Sequence, residues 1–194
     1  MYPGLHAAST PDKPAVIMGG SGEVVTYRQL DERSNQLARL WRDHGLRPGD
    51  HVAIFSENQP CYLEVMWAAL RSGLYITTIN SYLSAEEVAY ILDDSGTRSL
   101  VTTTAKADVA AMALGEAPKV TLPLLVDGED DTRFESYVDS ISTMPTDRLD
   151  EEPAGEMMLY SSGTTGQPKG IKRPLSGRAI DDGMMIAALL GGVF

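Results

Sequence analysis

The sequence predicts an α/β protein with a mostly parallel sheet flanked by helices. Two observations carry this. Short apolar runs rich in Val, Ile and Thr alternate with longer segments of helical period, and the punctuation between them falls on Gly, Pro and Asp. Residues 15–18 and 24–26 flank Gly19-Gly20-Ser21-Gly22, a hairpin pattern. Thr26-Tyr27-Arg28-Gln29 has the spacing in which Thr and Gln cap each other's backbone amides. Leu30, Leu37, Leu40 and Trp41 then recur on one helical face. Gly45 suits a helix stop, and Pro48-Gly49-Asp50 a turn. His51–Phe55 is expected as a strand. Cys61–Arg71 is expected as a buried helix with Leu63, Met66, Trp67 and Leu70 inward, stopped near Gly73. Residues 74–79 give the next strand. Ser84-Ala85-Glu86-Glu87 repeats the capping pattern and opens a helix to about Asp93. A strand at 99–103, a helix at 105–114 and a strand at 122–126, weakened by Pro123, come next. The last expectations are a short helix at 134–141, a strand at 156–160 and a helix at 175–190. No internal repeat is visible.

Composition narrows the function classes. The chain has 194 residues, enough for a core without disulfides. With 43% hydrophobic and 22% charged residues it is not a disordered tail, a collagen-like repeat or a disulfide scaffold. Its single cysteine, Cys61, cannot pair within the chain and fits a reducing cytosol. No apolar run reaches the length of a transmembrane helix, and residues 1–10 lack the pattern of a secretory signal. A net charge of −11 argues against nucleic acid as a partner, because that binding needs a basic face. Charge is also uneven. Residues 127–152 hold ten acids and two bases, read as a solvated connector, whereas 161–178 hold no acid and four bases, Lys169, Lys172, Arg173 and Arg178. His6, His44 and His51 show no metal-ligand spacing. Cys61 reads as a small buried hydrophobe, and Trp41 and Trp67 fall at core spacing. Met184 and Met185 read as core or as a wall that adapts to varied apolar ligands. The apolar run at 184–190, four residues before the last, reads as the interior of a longer protein.

The chemistry-bearing segment is Tyr160-Ser161-Ser162-Gly163-Thr164-Thr165-Gly166-Gln167-Pro168-Lys169-Gly170, directly after an apolar strand. Its glycines allow close backbone approach to a ligand. Four hydroxyl residues crowd into five positions, successive amides can form an anion-binding concavity, and Lys169 adds a compact positive charge. By residue type the segment suits either a polyphosphate cradle or a flexible surface turn. It is not the usual phosphate loop, since counting from Gly163 puts Pro168 where that motif needs Gly, and Gly170 follows the lysine instead of Ser or Thr.

Ser161 to Gly170 resembles the signature loop of the adenylate-forming superfamily, which includes acyl-CoA synthetases, peptide-synthetase adenylation domains and luciferases. Val25-Thr26-Tyr27-Arg28-Gln29-Leu30, the stretch from Gly45 to Ile54, and Gly73 to Asn80 with Leu83-Ser84-Ala85-Glu86-Glu87 are similar to the same family and follow in its order. The likeness runs from about His6 to Leu175 and is nearest to fatty-acid–CoA ligases. Many such ligases carry a Ser/Thr-His pair soon after the loop. This chain has Lys172-Arg173-Pro174-Leu175 there.

The resemblance implies a two-step reaction. A carboxylate attacks the α-phosphate of Mg-ATP, giving acyl-adenylate and pyrophosphate; the thiol of coenzyme A then gives the thioester and AMP. It implies that Ser161, Ser162, Thr164, Thr165 and the backbone at Gly163 and Gly166 hold the β- and γ-phosphates, and that Lys169 assists the departing pyrophosphate. Mg2+ would be held mainly by ATP and by later family segments that these residues do not contain. Residues 1–155 are expected as the first α/β subdomain and 156–194 as the start of the next, with the family's C-terminal domain absent. The chain alone is expected to be inactive, within a cytoplasmic enzyme for which membrane contact and self-association stay open. Two alternatives remain: an enzyme that loads a carrier protein instead of CoA, and a non-catalytic anion-binding paralogue.

Overall fold

Local signals set most element boundaries in the computed structural model, which describes residues 2–128, 131–161 and 168–182. Helix α1 (Pro3–Ser9) opens on a proline whose missing N–H has no helical partner to lose. Strands β1 (Pro14–Ile17) and β2 (Val24–Thr26) form the expected antiparallel hairpin. Helix α2 (Tyr27–Asp43) starts in the expected box: Gln29 N–H donates to Thr26 Oγ1 at 3.3 Å, and Thr26 N–H donates to Gln29 Oε1 at 2.9 Å. Its stripe of Leu30, Leu37, Leu40 and Trp41 is buried. Gly45, at φ +77°, takes the left-handed conformation that lets the chain leave the helix.

The main body then alternates as β3 (His51–Phe55), α3 (Cys61–Arg71), β4 (Tyr75–Ile79), α4 (Ala85–Ser95), β5 (Thr97–Thr102), α5 (Ala107–Leu114), β6 (Leu122–Leu125), β7 (Glu135–Ser136), α6 (Tyr137–Ser142) and β8 (Glu156–Met157). The strands form one parallel sheet in the order β7-β6-β5-β3-β4-β8. Central β3 is buried at every position. Val52 and Ile54 enter a core with α2, α3 and α6, while Ala53 and Phe55 enter a second core with α4 and α5. A strand covered on both faces reads as an unbroken apolar run. Pro123 is tolerated in β6 because β7 pairs only with Leu124 and Leu125, leaving that end of β6 open on one side.

Several expectations need correction. Helix α3 has the expected bounds but a different inner face. Val65, Ala68 and Ala69 are buried, whereas Leu63, Met66, Trp67 and Leu70 are half-buried. Small residues let α3 approach the sheet closely, and the bulkier ones spread around the rim, with Trp67 edge-on to Tyr2. The helix expected at 105–114 begins with a 3-10 turn, Thr104–Lys106, ahead of α5. The helix expected at 134–141 begins later, because Glu135 and Ser136 pair with β6 before Ser136 caps α6 through Asp139 N–H. The strand expected at 156–160 divides into β8, which completes the sheet, and β9 (Leu159–Ser161), which pairs antiparallel with the unanticipated β10 (Lys169–Ile171). Of the helix expected at 175–190, residues 175–181 are not helical, and Ala179 bridges Pro153 instead; residues 183–190, with Met184 and Met185, lie outside the described residues.

The acidic connector is not solvated throughout. Glu152 is 7% exposed and faces the fully buried Arg71, with Nε and Oε1 3.3 Å apart. Arg71 also donates to Asp31 Oδ1 at 2.6 Å, to Asn35 Oδ1 and to Tyr2 Oη, while Tyr2 O–H and Arg148 donate to Glu152. The network ties α1, α2, α3 and the approach to β8 together.

Candidate functional site

The direction of the sheet reverses at β3. From β3 the chain crosses one face through α3 to reach β4; from β4 it crosses the other face through α4 and returns past β3 to β5. The connections leaving β3 and β5 therefore run in opposite directions, and the carboxyl ends of those two strands mark the switch point at which open parallel sheets commonly receive ligands. A cleft of about 380 Å³ lies at the end of β4, lined by Thr78 and Asn80, by Glu87 and Ile91 of α4, and by Ser161 and Pro168 of the hairpin. Thr77 also lines it, and its buried hydroxyl has no hydrogen-bond partner among the described residues. Helix α4 is fixed at both ends. Ser84 N–H donates to Glu87 Oε2 at 2.8 Å, and Gly96 closes the helix in the left-handed conformation.

The hairpin brings two of the expected site residues together. Ser161 pairs across the strands with Lys169, Tyr160 with Gly170, and Leu159 with Ile171. Ser161 and Lys169 are both exposed. Ser162, Gly163, Thr164, Thr165 and Gly166 fall between them in sequence and lie outside the described residues. Gly170 has a steric reason to be glycine: a Cβ there would lie 3.0 Å from Tyr160 Cζ and 2.5 Å from Met158 Cε. Tyr160 O–H donates to Asp94 Oδ2 at 2.5 Å, and burial, reinforced by that carboxylate, pushes the phenol well above its usual range. Sequence reasoning missed Asp94, Thr77 and Asn80. No motif marks them: β4 carries Thr77 and Asn80 to the cleft that Ser161 also lines, and α4 carries Asp94 to Tyr160.

The basic stretch is not one patch. Beyond β10 the chain turns back to the amino ends of β3 and β4. Tyr75 O–H donates to the Arg173 carbonyl at 2.7 Å. Lys172 Nζ lies 2.9 Å from His51 Nε2 and 4.3 Å above the Tyr75 ring, on which His51 stacks. Burial, with the neighbouring Lys172 charge, lowers the His51 pKa to about 4, so the neutral ring accepts from the ammonium. Lys172 and Arg173 thus anchor a return segment, while Lys169 pairs across the hairpin with Ser161, which lines the cleft. Cys61 is buried, and burial raises its thiol to about 12, which suits a packing residue and not a nucleophile. Among the described residues no group of three or more His, Cys, Asp or Glu is gathered to hold a metal, and no helix is long and apolar enough to cross a membrane.

The family model described as AMP-binding enzyme matches residues 5–176. The chain is 34% identical over 167 residues to the fatty acid–[acyl-carrier-protein] ligase ScoC of Streptomyces coeruleorubidus, covering 86% of this chain and 31% of that protein. It is 31% identical over 163 residues to the 3-oxocholest-4-en-26-oate–CoA ligase of Rhodococcus rhodochrous, covering 80% and 29%. The crystal structure of the anthranilate CoA ligase AuaEII in complex with anthranoyl-AMP superimposes with a TM-score of 0.77 at 24% identity, over 98% of this chain and 36% of that one, a likeness of fold. The chain spans about a third of the length of these curated relatives.

Proposed function

The chain belongs to the AMP-binding enzyme family, and from that premise we propose that it supplies the phosphate-gripping front portion of an ATP-dependent acid–thiol ligase. The observation that carries the reading is the hairpin that sets Ser161 opposite Lys169 beside a cleft at the end of β4. In this reading Ser161, Ser162, Thr164 and Thr165, with the backbone at Gly163 and Gly166, hold the β- and γ-phosphates of ATP. Lys169 stabilises the charge that builds on the departing pyrophosphate as a carboxylate attacks the α-phosphate. The reaction is driven by positioning and electrostatics, which is what a loop of hydroxyls, amides and one ammonium provides. In this reading residues 1–155 are the first α/β unit and 156–194 the start of the next, and β8, the edge strand of the first sheet beside β4, carries the chain between them.

The substrate we propose is a fatty or related carboxylic acid. Support comes from the named acids of the relatives, a fatty acid and a steroid carboxylate. Coenzyme A is the proposed acceptor. A carrier protein is the second reading, favoured by the name of the Streptomyces relative. Mg2+ accompanies ATP in either case. The 194-residue chain alone is inactive in this account, because it spans so little of its relatives' length. The test is single-turnover acyl-adenylate formation by the full-length protein and by Lys169→Ala. The variant should be slower by roughly 10²-fold, the scale of losing one preorganised stabiliser. An unchanged rate would place Lys169 outside the chemistry. Product analysis with CoA and with a carrier protein then decides the acceptor.

A further inference from the structure

Asp94, outside the signature segment, bonds directly to its stem. Asp94, in the last turn of α4, accepts the Tyr160 phenol proton at 2.5 Å. Tyr160 is half-buried against the core that α4 and α5 share. Its ring lies across Gly170 on the paired strand, in space a side chain at 170 would take. Ile91 and Glu87, one and two turns earlier on the same face of α4, line the cleft. One helix face therefore forms a cleft wall and also holds the base of the hairpin. Because α4 is capped at both ends, Asp94 offers a fixed point from which the hairpin hangs.

We propose that Asp94 is a positioning residue for nucleotide binding. Through the Tyr160 hydroxyl it fixes how far the β9–β10 stem stands from α4, and so how Ser161 and Lys169 are presented beside the cleft. This rests on the ligase reading, and the test separates the two. Exchange of pyrophosphate into ATP is measured on the full-length protein with Asp94→Ala, Tyr160→Phe, the double variant and Asp94→Asn. Each single change should raise KM for ATP about fivefold, the scale of one hydrogen bond, with kcat and the KM for the acid little altered. The double variant should match the singles, because both remove the same bond. Asp94→Asn keeps an acceptor oxygen and should restore the wild-type KM. Amide hydrogen exchange is followed in parallel. In Asp94→Ala the amides that pair β9 with β10 should lose protection, while those between β3 and β4 keep theirs. An unchanged KM for ATP, additive effects in the double variant, or unchanged protection of the hairpin would overturn the proposal. A wild-type protein without pyrophosphate exchange would sink the ligase reading alone, and hairpin protection would still decide the role of Asp94.

Discussion

His51 couples the fold to pH. Its ring is 6% exposed, stacked on Tyr75, and kept neutral with a pKa near 4 by burial and by Lys172. In the unfolded chain a histidine titrates near 6.5. Between those values the unfolded state binds more protons, so the His51 contribution is complete above about pH 6.5 and is lost as pH falls toward 4. The full window is worth roughly 3 kcal/mol at most. Urea unfolding at pH 7 and pH 4.5 should therefore show a larger acid penalty in wild type than in His51→Gln. Equal penalties would mean that His51 titrates normally. Nothing in the sequence marks this residue: its partners, Tyr75 and Lys172, are 24 and 121 positions away. Lys169, by contrast, is singled out by a contiguous motif, Ser161 to Gly170.

At the scale of elements, capping residues and turn glycines made α2 and α4 readable, since those interactions are local. Thr26→Ala removes one half of a reciprocal cap and should destabilise the protein by about 1 kcal/mol, with Thr26→Ser nearly neutral. Calorimetry of the two variants checks this. The face of α3 was misread because size was taken for depth. Helix α3 buries alanines where it meets the sheet and turns its bulkier residues to the rim. Ala68→Leu should accordingly cost about 1–3 kcal/mol through overpacking, despite being a hydrophobic substitution. A neutral result would show that α3 has room the packing does not suggest. The β9–β10 pairing was missed for a different reason. Three exposed residues of Lys-Gly-Ile carry no strand periodicity, and only the partner strand makes β10 a strand.

At the scale of the molecule, the end of β4, helix α4 and the β9–β10 hairpin shape the cleft, and a separate buried charge network holds the fold together. Arg71 is fully buried between Asp31 and Glu152, which come from α2 and from the stretch before β8. Arg71→Ala would leave two carboxylates facing a dry site and should cost roughly 3–5 kcal/mol, measured as a loss in urea midpoint. Sequence composition classed Glu152 with a solvated acidic run, since burial of one acid among ten depends on chain segments 80 or more residues apart. The fold class was legible because alternation of strand and helix survives such errors. The central claim is that this fold presents a loop that grips the phosphates of ATP while a carboxylate attacks. Its most direct test is ATP–pyrophosphate exchange by the full-length protein against a panel of carboxylic acids. The account predicts exchange that depends on an added acid, falls by roughly 10²-fold in Lys169→Ala, and is absent from the 194-residue chain alone. No exchange with any acid, or undiminished exchange in Lys169→Ala, would contradict it.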